Sequence, residues 1–397
     1  MKILIVADKF KGSLTSTEVA AAIETGFSAA ADQLDLATPS FHSIPASDGG
    51  DGFLAAMHRA LAGQERPTQW RTTATVDPLG RPIEADDLFD TTHHVAYIEL
   101  ARASGLVLLE TFEQDPELTS TAGTGKQIRA AIEAGAKRIF VGLGGSATND
   151  GGVGIAHELG VRFHDEQGSV LESPVGGVLD QVASIDLGDR MALPPIVAVN
   201  DVTNPLTGTE GAAHVYGPQK GADKAAVERL DRGLNNLANV VRRCESLKHL
   251  DAELALQPGT GAAGGVGFGL AAFGDAMFVS GVELLFDVME LTQVVESGQV
   301  DLIVTGEGKI DLQTADGKLV AGVATLAKKN RIPVIAFCGT SDLSFSQAHA
   351  IGLDDLIWIH EPDQRTVEES IQQSAPLLTK ASEAWFLKAH SADRTDR

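Results

Sequence analysis

The sequence predicts an α/β protein of two α/β domains, in which parallel strands alternate with helices. Six short apolar runs each end at a glycine or a polar turn, as buried parallel strands do. These runs are Ile3–Ala7, Ile139–Leu143, Ile196–Val199, Leu302–Thr305, Val334–Phe337 and Leu356–Ile359. Helical patterns separate the runs, and this alternation is typical of a doubly wound sheet. The length of 397 residues favours two domains over one core.

The helices are predicted from capping residues and apolar periodicity. The first begins at a capping box, with Thr15 as the N-cap and Glu18 three residues later. The same criteria predict further helices over 52–61, 126–134, 224–244, 317–329 and 366–389.

Residues 69–99 do not follow this alternation. Polar and apolar side chains alternate there around the turn at Pro78–Gly80, which predicts antiparallel or mixed β-structure with one face in solvent. The segment therefore marks the start of an inserted domain. We predict a discontinuous α/β domain over 1–68 plus 290–397, and an inserted mixed α/β domain over 69–289 that carries the glycine-rich loops.

Charge and cysteine content limit the partners and the compartment. The net charge of −23 repels nucleic acid and anionic membranes, so neither is expected as a partner. Cys244 and Cys338 are far apart in sequence, which argues against a disulfide framework or a zinc site. The N-terminal apolar run is broken at Asp8 and is too short for a signal peptide. These features predict a cytoplasmic protein.

The densest glycine motif is GLGGSATNDGGVG, over 142–154, with six glycines. It follows the predicted strand at 139–143, at the edge where open α/β sheets bind ligands. Glycine lets backbone N–H groups approach an anion closely, so the motif predicts a phosphate contact. A tight turn without a ligand is the structural alternative.

The same motif also allows another function, that of an NAD(P)-dependent oxidoreductase acting on a small hydroxy acid. The start of the motif matches GxGxxA, and Asp165 lies near the distance expected for a ribose-binding acid. Against it, Thr148-Asn149-Asp150 follows at once, where a dinucleotide fold needs an uninterrupted helix.

Other polar turns follow or precede the predicted strands and helices. They are DKFKGSL (8–14), PASDGGDG (45–52), TAGTGK (121–126), NDVTNPL (200–206), YGPQKG (216–221), PGTGAAGG (258–265) and TGEGKID (305–311). Lysines in such turns neutralise phosphate, and the carboxylates of Asp48 and Asp51 suit either Mg²⁺ or a helix cap. No Walker A motif is present in the sequence. Together the turns indicate an active site for a phosphorylated anion.

In order and spacing, these segments resemble the type-1 glycerate kinase family, the bacterial glycerate 2-kinases, over almost the whole chain. The resemblance implies ATP-dependent phosphorylation of D-glycerate, usually at the 2-hydroxyl, to give 2-phosphoglycerate and ADP. It also implies two α/β domains, one Rossmann-like and discontinuous and the other inserted, with the active site in the cleft. The sequence departs from the common family residues at Lys9, Ser47, Asp51, Phe53 and Asn200.

Phosphoryl transfer requires positioning of the reactants and neutralisation of charge, which guides the assignment of roles. ATP and Mg²⁺ are the expected cofactors and D-glycerate the substrate, while a homodimer is left open. As catalytic residues we predict Asp201, the base, and Lys11. The residues predicted to bind ATP or its phosphates are Gly144, Gly145, Ser146, Asn149, Gly123, Thr124, Gly125 and Lys126. Those predicted to bind the substrate are Ser13, Asn204, Lys220 and Lys309, and those predicted to hold Mg²⁺ through water are Asp48 and Asp150.

Overall fold

The structure, a computed structural model, describes residues 1–45, 52–288, 290–311, 319–360 and 366–392. The chain divides into two compact units, the first formed by 1–48 with 282–397 and the second by 49–281. The domain boundaries predicted from the sequence are 68/69 and 289/290 instead. The difference at the first division arises because residues 53–63 form a helix that packs on the sheet of the second unit.

Strands and helices alternate along most of the chain. The strands are β1 (Lys2–Ala7), β2 (Ser40–Pro45), β3 (Thr68–Val76), β4 (Pro82–Asp90), β5 (Val95–Glu99), β6 (Arg138–Gly142), β7 (Arg162–His164), β8 (Ser184–Asp186), β9 (Ile196–Val199), β10 (Met277–Val279), β11 (Leu302–Ile310), β12 (Val334–Ser341) and β13 (Asp355–Trp358). The helices are α1 (Ser16–Gln33), α2 (Phe53–Gly63), α3 (Ala101–Ser104), α4 (Ala122–Glu133), α5 (Val153–Glu158), α6 (Ala212–Tyr216), α7 (Lys224–Arg243), α8 (Ala262–Gly274), α9 (Gly281–Val288), α10 (Leu291–Glu296), α11 (Leu319–Asn330), α12 (Phe345–Ala350), α13 (Val367–Gln372) and α14 (Ser374–Ala392).

The first unit contains a parallel sheet with the strand order β13-β12-β11-β1-β2. Read from β2, this is the 2-1-3-4-5 order of a doubly wound sheet. The four strands predicted in this part of the chain are confirmed. The order reverses between β1 and β11, and ligands of such sheets bind at that point, beside the carboxyl ends of the strands.

The core of the first unit lies between this sheet and two long helices. Ile3 and Ile5 of β1 contribute to it together with Phe27 of α1 and Phe386 of α14. Helix α1 begins as predicted, because the Glu18 N–H donates to Thr15 Oγ1 and the Glu18 carboxylate accepts from the Thr15 N–H. The helix predicted over 366–389 is instead two helices, α13 and α14.

The second unit contains a mixed sheet with the order β10-β9-β6-β5-β4-β3. Strands β5, β6, β9 and β10 are parallel, whereas β3, β4 and β5 pair antiparallel, as predicted for 69–99. The two-domain α/β class is therefore confirmed, with one parallel and one mixed sheet.

Helices form two layers on the second sheet. Ile155 of α5 and Leu270 of α8 pack against sheet residues such as Val141, while Leu234 of α7 packs with Phe268 on the outer side of α8. Helix α8 is apolar all round because it is covered on both sides. Among the described residues, no helix combines the length and apolarity needed to cross a membrane.

The first turn of α8 makes close backbone contact with the glycine motif of 142–154. Gly264 has a φ of +71°, and its carbonyl accepts a hydrogen bond of 3.0 Å from the Gly151 N–H. A Cβ atom on Gly264 would lie 2.0 Å from the Thr148 carbonyl oxygen. The glycines of PGTGAAGG therefore allow two backbones to approach each other.

We expect Gly264→Ala to destabilise the second unit more than Gly168→Ala does. Both glycines have positive φ, +71° and +79°, but a Cβ on Gly168 meets nothing within 4 Å. The left-handed backbone alone costs about 1–2 kcal/mol in either variant, and the clash at Gly264 adds roughly 1–3 kcal/mol. Thermal melting followed by circular dichroism tests this, and equal melting temperatures for the two variants would contradict the packing argument.

Candidate active site

The candidate site lies at the carboxyl edge of the parallel strands in the second sheet. The register pairs Glu99 of β5 with Gly142 of β6, and Gly142 with Val199 of β9. The segments that follow these strands therefore emerge side by side. They bring the GLGGSATND segment next to Asn200 and Asp201, as expected for a ligand site of an α/β sheet.

The first half of the glycine motif has backbone donors available to a ligand. The Gly145 carbonyl accepts from the Leu106 N–H (2.9 Å), and the Ala147 N–H donates to the Ser104 carbonyl (2.9 Å), which fixes the segment to α3 and the turn after it. Within the described residues, the N–H groups of Gly144 and Gly145 have no acceptor. Gly145 is exposed and Gly144 partly exposed, so both groups can bind an anion.

The second half of the motif is packed inside the unit. A Cβ on Gly152 would lie 3.1 Å from the Gly269 Cα, and one on Gly154 would lie 2.6 Å from the Ala122 nitrogen. Here the structural explanation for glycine applies, because neighbouring backbones leave no room for a side chain. Packing therefore explains these two glycines, and the phosphate contact stays a prediction for Gly144, Gly145, Ser146 and Asn149.

Lys220 lies beneath the open half of the motif. Lys220 is only 2% exposed, and its Nζ donates to Ser146 Oγ and to the Thr148 carbonyl, both at 2.7 Å. Burial lowers the pKa of Lys220 to about 7, although the charge of Asp150 opposes the shift. The predicted contact between Lys220 and the substrate does not fit this arrangement, because the ammonium group is buried and bonded to the protein.

Asp150 is also fully buried and organises the backbone around it. It accepts hydrogen bonds from the N–H and Oγ1 of Thr121 (2.8 and 2.7 Å) and from the N–H groups of Gly152 (3.0 Å) and Gly154 (3.3 Å). Burial raises the pKa of this carboxyl group, and the four donors oppose the shift. These partners leave no room for direct coordination of Mg²⁺ by Asp150, and the predicted contact through water stays a prediction.

The start of α4 was predicted to contact phosphate, but most of it is interior. Gly123, Thr124 and Gly125 are buried. The Thr124 hydroxyl bonds that of Ser104 at 2.7 Å, and a Cβ on Gly123 would lie 2.0 Å from the carbonyl oxygen of Val76. These three residues serve packing, and of the four residues predicted here to contact phosphate only Lys126 is partly exposed.

Asn149 and its neighbour Thr148 are fully buried polar residues. The side-chain amide of Asn149 and the Thr148 hydroxyl have no hydrogen-bond partner among the residues that the structure describes. Such groups are rare in folded proteins and mark a place where water or a ligand completes the bonding. The ATP contact predicted for Asn149 stays a prediction.

Asp201 and Asn204 both follow β9 but differ in how far their side chains are already bonded within the protein. Asp201 is partly exposed, and its Oδ1 accepts from the Gly281 N–H at 3.1 Å. The amide of Asn204 accepts from the Tyr216 hydroxyl (2.6 Å) and donates to the Glu210 carbonyl (2.8 Å). Asn204 therefore holds its own loop, and the predicted contact with the substrate does not fit these bonds.

Three of the remaining predicted residues lie in the first unit, near the reversal of its strand order. Lys11 is exposed, and Ser13 donates to the Phe10 carbonyl at 3.1 Å. The Nζ of Lys309 lies 2.7 Å from Asp342 Oδ2, and this bond raises the pKa of Lys309. The roles of these residues stay predictions. Asp48, the other predicted metal residue, lies outside the described residues.

The dinucleotide interpretation does not fit the structure. Asp165 lies in an exposed turn, where its carboxylate accepts from the N–H groups of Gln167 (2.9 Å) and Ser169 (2.8 Å). The preceding strand, β7, pairs with β8 in a separate two-stranded sheet and not with the sheet that contains β6. An acid that binds ribose would need to follow a strand of the same sheet.

Two residues that shape this part of the unit, Glu99 and Thr121, were not predicted as site residues. Glu99 is buried, and its carboxylate accepts from the N–H groups of Gly52 (3.4 Å) and Leu54 (3.2 Å), at the start of α2. Because Glu99 is an acidic residue at the end of an apolar strand, its sequence position could have identified it as a candidate site residue. Thr121 begins the TAGTGK turn, but no sequence feature indicated that it bonds Asp150. No group of three or more potential metal-binding His, Cys, Asp or Glu residues occurs within the described ranges.

The comparisons with known proteins agree over nearly the full length. The model of the glycerate kinase family matches residues 3–388. The glycerate kinase of Halalkalibacterium halodurans is 38% identical over 96% of both chains, and the glycerate 2-kinase of Escherichia coli is 39% identical over 89% of both. A crystal structure from Salmonella typhimurium LT2, whose description names glycerate kinase 2, has 36% identity and a TM-score of 0.80 over 99% of both chains. The chain therefore belongs to the glycerate kinase family.

Proposed function

We propose that the protein transfers the γ-phosphoryl group of ATP to the 2-hydroxyl of D-glycerate, which gives 2-phosphoglycerate and ADP. Family membership supports glycerate phosphorylation, and the relative named glycerate 2-kinase supports the position. The structural observation that carries the proposal is the pair of available N–H groups at Gly144 and Gly145, at the ligand edge of the second sheet.

In this proposal the phosphates of ATP bind at Gly144, Gly145 and Ser146. Phosphoryl transfer passes through a loose transition state, so the protein mainly orients the reactants and stabilises charge on the transferred group. Backbone N–H groups that are already fixed in place do this without reorganisation during the reaction. The hydrogen bonds that join the segment to Ser104 and Leu106 provide this fixation.

Asp201 is the proposed base for the glycerate hydroxyl. It follows β9 at the same sheet edge, and the residue is partly exposed although its Oδ2 atom is buried. The bond from the Gly281 N–H to Oδ1 holds the carboxylate in one orientation. A positioned carboxylate can accept the hydroxyl proton as the phosphoryl group is transferred.

Mg²⁺ remains part of the proposal as the ion bound to ATP. The described residues give it no carboxylate set, because both oxygens of Asp150 are bonded within the protein.

We expect incubation with Mg-ATP and D-glycerate to give 2-phosphoglycerate, identified by ³¹P NMR from the coupling of phosphorus to the proton on C2. ADP should appear in an equal amount. A 3-phosphoglycerate signal would contradict the proposed position alone, whereas the absence of any phosphorylated glycerate would contradict the kinase assignment.

Asp201→Asn should lower kcat by about 100-fold or more, because the amide cannot accept the proton. Its side-chain oxygen can still accept from the Gly281 N–H, so the fold and the KM for ATP should change little. The measurement is steady-state kinetics with both substrates varied.

Asp275→Asn is the matched control for the loss of one carboxylate charge. Asp275 is exposed and lies 3.1 Å from His249 Nε2. Its variant should retain normal kcat. If Asp201→Asn behaves like this control, Asp201 is not the base.

A further inference from the structure

We propose that Lys220 is a positioning residue that orients the Ser146 hydroxyl as a hydrogen-bond donor to a phosphate of ATP. This inference rests on the proposed function and replaces the substrate contact predicted for Lys220 from the sequence. Lys220 itself stays inside the protein and acts through Ser146.

The geometry beneath the phosphate segment leads to this role. The Lys220 ammonium group donates to Ser146 Oγ and to the Thr148 carbonyl, both at 2.7 Å, so it joins two alternate residues of one loop. The turn that carries Lys220 is fixed as well, since a Cβ on Gly221 would lie 2.0 Å from the Gln114 carbonyl oxygen. Lys220 is therefore a rigid support under the loop.

Hydrogen-bond chemistry then determines the direction of the Ser146 hydroxyl. A serine hydroxyl has one proton to donate, and an ammonium group donates only and accepts nothing. Because Ser146 Oγ accepts from Lys220, its proton must go to another group. Among the described residues that proton has no acceptor. Ser146 is 8% exposed, in contrast to Thr148 at 0%, so a bound anion can supply the acceptor.

The charged state of Lys220 is sensitive to what binds above it. Burial lowers its pKa to about 7, and Asp150 is the charged group of the second unit that favours the ammonium form. A phosphate bound one residue away would favour the ammonium form further, since opposite charges raise the pKa of a lysine. Ligand binding and the orientation of Ser146 thus support each other.

The test is a double-mutant cycle on the full chain with Ser146→Ala and Lys220→Met. The dissociation constant of ATP is measured by calorimetry without glycerate, and the KM of each substrate by kinetics. We expect each single variant to weaken ATP binding about tenfold or more, with the KM for D-glycerate nearly unchanged. The double variant should bind ATP no more weakly than the worse single variant, because both remove the same contact.

Two control variants accompany the cycle. Ser146→Thr keeps a hydroxyl and should restore most of the ATP affinity. Lys224→Met removes an exposed lysine at the start of α7 and should leave affinity and activity unchanged. If Lys220→Met does not fold, the comparison of Ser146→Ala with Ser146→Thr still tests the hydroxyl contact.

The outcomes separate this inference from the proposed function. If the wild type phosphorylates glycerate but the losses of the two variants multiply to about 100-fold, Lys220 does not act through Ser146. Unchanged ATP affinity in Ser146→Ala would overturn the inference as well. A wild type that neither binds ATP nor phosphorylates glycerate would overturn both proposals.

Discussion

The site in the second unit depends on the close packing of two glycine-rich backbones. The loop after β6 and the first turn of α8 are joined by the bond from the Gly151 N–H to the Gly264 carbonyl, and no side chain fits between them. This contact fixes the inner end of the loop, while its outer end is tied to α3. Gly145 forms part of the attachment to α3 and Gly144 directly precedes it, so their N–H groups are held in place without being used by the protein.

A buried pair of charges adds a second constraint to the same loop. Lys220 and Asp150 are both removed from water, which costs free energy unless each is hydrogen-bonded. Lys220 bonds the loop at Ser146 and Thr148, and Asp150 bonds the start of α4 and the two glycines at the start of α5. The cost of burial is therefore offset by bonds that define one conformation of the backbone around the site.

The sequence predicts the sheets better than the roles of individual site residues. Buried parallel strands such as β6 and β9 are visible because apolar runs end at polar turns, and their carboxyl edge locates the site. The sequence does not distinguish two roles of glycine, however. Gly145 exposes its N–H group, whereas Gly154 leaves room for a neighbouring backbone. The burial of Lys220 could not be predicted from the sequence either, because the residues that it bonds lie in a loop more than 70 residues earlier. Helix α2 shows the same limit for domain boundaries, since its pattern does not reveal which sheet it covers.

The net negative charge of the chain makes local hydrogen-bond donors important for the binding of an anion. A chain with a charge of −23 repels an anion such as ATP at long range, so binding must come from short-range interactions. The second unit offers fixed N–H dipoles at Gly144 and Gly145 above the ammonium group of Lys220. Because Lys220 is buried, its charge is weakly screened by salt, and in the proposed arrangement it acts on ATP through Ser146. An exposed lysine in the same place would be hydrated and mobile, and it would not fix the direction of a neighbouring hydroxyl.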